Sequence, residues 1–270
     1  MATHLPSIPV VGCLKQTNEI GLPSRHLGLV QALEHPDLPT FLDRAADWID
    51  AHVDTELLSA LAVVAISTGE EPLKTPSLAP LGQRIAVARD AAFAFAYPHV
   101  LEGWRDAGAE LTFFSPLADE GPMENADAVY LPGGYPELFA AVLSASHRFI
   151  NSMEAARGRD AAIFGECGGY MVLGETIIDA EGASYPMAGL LALETSFANR
   201  KLHLGYRRMT PLAQAWPGLE PVTGHEFHYT SAIRAEGDPL FAVSDAAGRD
   251  LGTMGLVRGS VAGSYAHIIA

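Results

Sequence analysis

The stretch Ala161-Ala162-Ile163-Phe164-Gly165-Glu166-Cys167-Gly168-Gly169-Tyr170 decides how this chain is read. Its apolar start is strand-like, and Tyr170 to Gly174 reads as the start of a helix. Cys167 stands between them with glycine two positions away on either side, the spacing of a nucleophile elbow with Cys in the Ser position of G-x-S-x-G. Such a sharp strand-to-helix turn leaves no room for side chains at the flanking positions. The Gly168 N–H can then point at a developing oxyanion, and the helix N-terminus favours a thiolate over a thiol. The plainer alternative is a buried cysteine in a glycine-rich turn.

Working outward, residues 84–164 alternate strand with helix. Strands are expected over 85–88, 111–114, 128–131 and 161–164. A helix over 99–107 opens at Pro98 and stops at Gly108. A second helical run over 137–157 has a break expected near Ser144. Strands alternating with helices imply a parallel sheet covered on both faces. After Gly174 the texture becomes Gly- and Pro-punctuated, and strands are expected over 190–197, 203–209, 226–233 and 252–267, flanking the parallel sheet in antiparallel fashion. The N-terminal part reads as an extended stretch over 8–14, a turn at Gly21-Leu22-Pro23, and helices over 27–33 and 41–66, the second broken near Asp54. Residues 67–82 hold Gly69, Pro72, Pro76, Pro80 and Gly82 without periodicity, which marks a linker. The predicted organisation is a small segment, 1–80, and an α/β domain, 83–270.

The 270 residues carry 17 Lys+Arg against 32 Asp+Glu, a formal charge of −15, and 49% of them are hydrophobic. This apolar share rules out disorder. The acidic balance argues against nucleic acid or an anionic membrane surface as a partner. No apolar run reaches the ~20 residues of a membrane span, and no signal peptide is evident. Two cysteines suit a reducing compartment, so a cytoplasmic setting is expected.

Leu131-Pro132-Gly133-Gly134-Tyr135-Pro136-Glu137 follows the third strand. Ligands of open α/β sheets bind beyond the carboxyl ends of strands, and a Gly-Gly turn there exposes backbone N–H groups. A tight turn is the equal alternative. A thiolate nucleophile also needs a base. His4, His35, His52 and His147 lie in polar or helical surroundings. His225 and His228 invite a metal reading, but residues three apart on a strand face opposite ways, so no metal is expected. His267, at the end of the last strand, is the better base, and His225 and His228 are its rivals.

Gly165 to Met171, with Leu131 to Glu137 upstream, resembles class I (triad-type) glutamine amidotransferase domains. Arg25-His26-Leu27-Gly28-Leu29, residues 86–93, Phe114-Ser115-Pro116-Leu117, His203-Leu204-Gly205-Tyr206-Arg207 and Gly224-His225-Glu226-Phe227-His228-Tyr229 narrow the resemblance to corrinoid (cobyrinate or hydrogenobyrinate) a,c-diamide synthases. The resemblance implies a doubly wound, flavodoxin-like, mostly parallel sheet. It also implies a glutaminase that passes ammonia to a synthetase domain for ATP- and Mg²⁺-dependent amidation of the a and c carboxylates in cobalamin biosynthesis. Carried over, Cys167 is the nucleophile, His267 raises its nucleophilicity, and Gly134 and Gly168 form the oxyanion hole. Glu166, Arg25, His26, His203, Arg207, His225 and His228 become substrate or interdomain contacts.

Two departures stand out. Ile269 occupies the position where many triad enzymes have Glu, which leaves a backbone carbonyl or Glu166 to orient His267. No G-x-x-x-x-G-K-[ST] loop occurs, so residues 1–80 read as the tail of the synthetase domain, in a truncated or split enzyme. No cofactor is expected in this chain. Glutamine and a corrinoid polycarboxylate are the expected partners, and a homodimer is compatible with the reading. Amidation of another tetrapyrrole or a cell-wall precursor, a hydrolase of small amides, and a non-catalytic module are the alternatives.

Overall fold

Period-2 alternation of small and branched residues sets the centre of the fold. A computed structural model describes residues 8–22, 24–25, 28–29, 32–62, 78–214, 216 and 218–269. The chain divides into two compact units, Met1–Leu73 and Lys74–Ala270.

In the smaller unit, β1 (Ser24–Arg25) and β2 (Gly28–Leu29) form a two-residue antiparallel pair, followed by a 3₁₀ turn, Ala32–Glu34. The helix expected over 27–33 is therefore not formed among the described residues. Gly28 and Leu29 are paired in a strand instead, and a three-residue 3₁₀ segment follows. The extended stretch at 8–14 makes only one isolated bridge, Gly12 to Val53. Two helices follow, α1 (Leu38–His52) and α2 (Thr55–Leu61). The break falls at Val53-Asp54, as expected, because Asp54 caps α2 by accepting the Leu57 N–H at 2.8 Å. Neither helix contains a buried residue. Residues 63–66, at the end of the expected second helix, lie outside the described residues, as does most of the predicted linker, residues 67–77. Its end, residues 78–82, belongs to the larger unit, where Leu81 is buried and the Ala79 carbonyl accepts the Trp216 indole N–H.

The larger unit begins with β3 (Arg84–Ala88), α3 (Pro98–Asp106), β4 (Glu110–Phe114) and β5 (Ala128–Leu131). Then come α4 (Ala140–Ala145), α5 (His147–Gly158), β6 (Ala162–Glu166) and α6 (Gly168–Leu173). The helical run over 137–157 is thus broken at Ser146 rather than Ser144, and its first turn, Pro136–Phe139, is 3₁₀. The remaining strands are β7 (Thr176–Ile178), β8 (Ser184–Pro186), β9 (Ala192–Ser196), β10 (His203–Pro211) and β11 (Val222–His228). They are completed by β12 (Ser231–Glu236), β13 (Asp238–Asp245), β14 (Asp250–Arg258), β15 (Val261–Ser264) and β16 (Ala266–Ile268).

The main sheet has the order β16-β11-β10-β13-β14-β15-β6-β5-β3-β4, and β12-β9-β7-β8 form a second sheet. Pairing is parallel from β15 through β4 and antiparallel from β16 through β15, so the sheet is mixed. The antiparallel share exceeds the expected one because two predicted strands split. The run expected over 226–233 becomes β11 and β12 in different sheets, and the run over 252–267 becomes β14, β15 and β16. Strands β7, β8 and β13 went unread; β7 and β8 are three residues each, too short for a period.

Ile85, Val87, Tyr130 and Phe164 point to one face, where they meet Trp104 of α3 and Trp216. Ala86, Val129, Leu131 and Ile163 point to the other, against Phe149 and Met153 of α5 and Met171 of α6. Helices on both faces of parallel strands are the doubly wound arrangement. It leaves the carboxyl ends of β5 and β6 side by side.

Candidate active site

Cys167 caps α6 with φ 46° and ψ −105°, one of three described non-glycine residues at positive φ. Its N–H is held by the Ser264 carbonyl at 2.8 Å, and the side chain is buried. The flanking glycines are required by space. A Cβ on Gly169 would lie 2.0 Å from the Leu131 carbonyl oxygen, and one on Gly165 2.7 Å from Leu173 Cδ1. A Cβ on Gly168 would lie 3.1 Å from the Gly134 nitrogen, so the two sequence-predicted oxyanion donors are brought together. Gly134 is itself pressed against Ala92, whose carbonyl oxygen would stand 2.0 Å from an added Cβ.

His267 is on β16, across from His225 on β11, and the two rings stack at 4.9 Å and 7°. The turn after β5 lies against it: a Cβ on Gly133 would be 2.2 Å from His267 Cε1. Tyr97 and Phe95 contact the ring tilted or edge-on. Tyr97 also links to His225, with Oη 2.5 Å from Nε2. The Nδ1 of His267 is buried without a hydrogen-bond partner. Glu166 does not orient the ring. Its Oε1 accepts the Ile268 N–H at 3.0 Å and its Oε2 accepts the Tyr130 hydroxyl at 2.7 Å. That first bond ties the residue before Cys167 to the residue after His267. The His225 stack and the Gly133 turn enclose the His267 ring without a carboxylate on its Nδ1.

Burial dominates the electrostatics. It pushes the Cys167 thiol up to about 12, with Glu137 adding and the Gly168 N–H opposing. It pushes His267 down to about 3, helped by His225 and His228. It pushes Glu166 up to about 7, against the bonds from Ile268 and Tyr130. Burial thus favours the thiol form of Cys167 and the neutral form of His267.

The other sequence-predicted residues fall elsewhere. Arg25 lies on β1 in the smaller unit, its side chain outside the described residues, as is His26 altogether. Arg207 is committed to Glu226, with Nε and Nη2 at 2.8 and 2.7 Å from Oε2. His225 and His228 face opposite ways, as expected. His228 is buried, bonded to Glu226 and stacked between His203 and Tyr265. Tyr97, Tyr130, Glu226 and Thr230 were not anticipated, since their partners lie on other strands. Tyr97 and His225 are 128 positions apart.

Residues 84–270 match the model of the CobB/CobQ-like glutamine amidotransferase domain. The chain belongs to this amidotransferase family. Among curated relatives, it is 57% identical over 266 residues to a hydrogenobyrinate a,c-diamide synthase from Sinorhizobium sp, covering 97% of this chain and 60% of that protein. It is 54% identical over 263 residues to the enzyme of the same name from Brucella anthropi, with the same two coverages. The amidotransferase chain thus spans about 60% of the length of these relatives. A glutamine amidotransferase from Thermotoga maritima superposes with a TM-score of 0.45 at 15% identity, over 68% of this chain and 75% of that one. No helix among the described residues of the amidotransferase chain is long and apolar enough to cross a membrane.

Proposed function

We propose that the larger unit is the glutaminase of a corrinoid a,c-diamide synthase. The observation that carries this is a strained Cys167 on an elbow whose neighbour Glu166 is bonded to the strand bearing His267. As the Cys167 sulfur bonds to the glutamine side-chain carbonyl carbon, its proton passes to His267. The carbonyl oxygen takes up the negative charge and is met by the N–H groups of Gly168 and Gly134. His267 returns the proton to the nitrogen, the C–N bond breaks, and ammonia leaves a γ-glutamyl thioester that water hydrolyses to glutamate. A general base of this kind contributes roughly 10²–10⁴-fold.

The acceptor reading rests on the relatives, both called hydrogenobyrinate a,c-diamide synthases. Amidation would draw on ATP and Mg²⁺ held by residues outside these 270, since no phosphate loop occurs among them. The smaller unit reads as the tail of that synthetase portion. Its support is the unburied apolar surface of α1 and α2, including Leu42, Ile49, Leu58 and Leu61. The two free cysteines support a cytoplasmic setting.

The test is to combine this chain with the remaining N-terminal portion of a relative, glutamine, ATP, Mg²⁺ and hydrogenobyrinate or cobyrinate. Two successive amidations, read as mass changes of the corrinoid, are expected. Glutamine hydrolysis without corrinoid amidation would keep the glutaminase and remove the acceptor.

A further inference from the structure

Strands β10 and β11 carry a second cluster of ligating side chains. In their antiparallel register His203 faces His228, Gly205 faces Glu226 and Arg207 faces Gly224. Alternation puts these six residues on one face of the sheet, opposite to His225 and hence to its stacking partner His267. A Cβ on Gly205 would lie 2.5 Å from Arg207 Nη1, so glycine there opens the path along which the guanidinium reaches Glu226.

We propose that His203, Glu226 and His228 bind one divalent transition-metal cation of the Zn²⁺ class, in a site separate from the Cys167–His267 pair. One ligand atom from each of the three lies within 4.8 Å of the others. His228 Nδ1 is 3.1 Å from the Thr230 carbonyl oxygen, which only accepts, so Nδ1 carries the hydrogen. In the neutral ring the Nε2 lone pair then points at Glu226 Oε1, 2.8 Å away. Two acceptors face each other, and either a second ring proton or a cation must lie between them. The His203 ring, stacked on His228 at 4.7 Å and 8°, brings a second imidazole to the same place.

The surroundings are those of a ligand set held by outer contacts: a carbonyl on the far nitrogen of His228 and Arg207 on the far oxygen of Glu226. The cation class follows from the charges. Arg207 offsets the one carboxylate, so affinity must come from two imidazoles, which suit Zn²⁺ or Co²⁺ rather than Mg²⁺ or Ca²⁺. Glu226, the one proposed ligand among its lining residues, faces a cavity of about 380 Å³ with Tyr170 and Tyr265, and His203 is half-buried.

The test uses the chelator-stripped 270-residue chain with Cys13→Ser and Cys167→Ala, so that no thiol competes. Zn²⁺ uptake is measured by equilibrium dialysis, and Co²⁺ is added as a spectroscopic probe. The expected result is one Zn²⁺ per chain and a Co²⁺ visible band of nitrogen–oxygen ligation. His203→Ala, at a half-buried position where folding should survive, is expected to weaken binding by roughly tenfold or more. Binding of less than one equivalent at micromolar Zn²⁺ would overturn the proposal, as would affinity unchanged by both His203→Ala and His228→Gln. In that event ¹⁵N spectra of a doubly protonated His228 would identify the cluster as an ion-paired Arg207–Glu226–His228 triad.

Discussion

At Cys167 the backbone is held at φ 46°, a region that an L-residue enters at a cost of about 1–3 kcal/mol. Comparing Cys167→Gly with Cys167→Ala isolates this strain, since both remove the thiol. The glycine variant should be the more stable in denaturant by roughly 1 kcal/mol or more. Equal stabilities would mean the elbow is relaxed. Next to it, Glu166 has a folded-state pKa raised from 4.5 to about 7 by burial. A raised carboxyl contributes stability that is fully present below pH 4.5 and is lost as pH rises through about 7. The loss is on the order of 3 kcal/mol. Tyr130 on β5 and the nearby Tyr97 stay neutral across that window, both raised by burial. Glu166→Gln should therefore flatten the stability–pH curve between 4.5 and 7. A curve of unchanged slope would show that Glu166 is ionised throughout.

Among the elements, β5, β6 and α6 make the site, and the glycines at their junction measure how tightly. Gly169→Ala would push a Cβ to within 2.0 Å of the Leu131 carbonyl oxygen, backbone against backbone. It should cost at least about 3 kcal/mol in unfolding free energy, in the range of severe overpacking, and remove glutamine turnover. Near-native stability would mean that α6 can shift. These elements, and α3 with Pro98 at its first position, were legible in the sequence because their signals are local: four-residue apolar strands and glycines two residues either side of Cys167. The break between α1 and α2 was legible through its Asp54 cap. What could not be read depends on pairing between distant segments. The split of residues 226–233 between two sheets, the His225–His267 stack and the His203–His228 pair are set by register. Neither a strand's period nor its composition records that register. Nor could the sequence record that the Glu166 carboxylate is bonded to Ile268 and Tyr130 rather than to His267.

Over the whole chain, the larger unit starts earlier than its first strand. Leu81 is buried and Ala79 holds the Trp216 indole through its carbonyl. A fragment beginning at Leu78 should fold with the Cys167 site intact. One beginning at Gln83 should be less stable by about 2–5 kcal/mol, the usual cost of removing a buried leucine. Equal thermal midpoints would place the start of the unit at β3. The central claim, that Cys167 attacks glutamine with His267 as its base, is tested most directly by labelling with a glutamine-like diazo-ketone and peptide mass spectrometry. The account predicts modification of Cys167 alone, sparing exposed Cys13, with labelling lost in His267→Ala and largely kept in His228→Ala. Labelling of Cys13 in place of Cys167, or full labelling of Cys167 without His267, would contradict it.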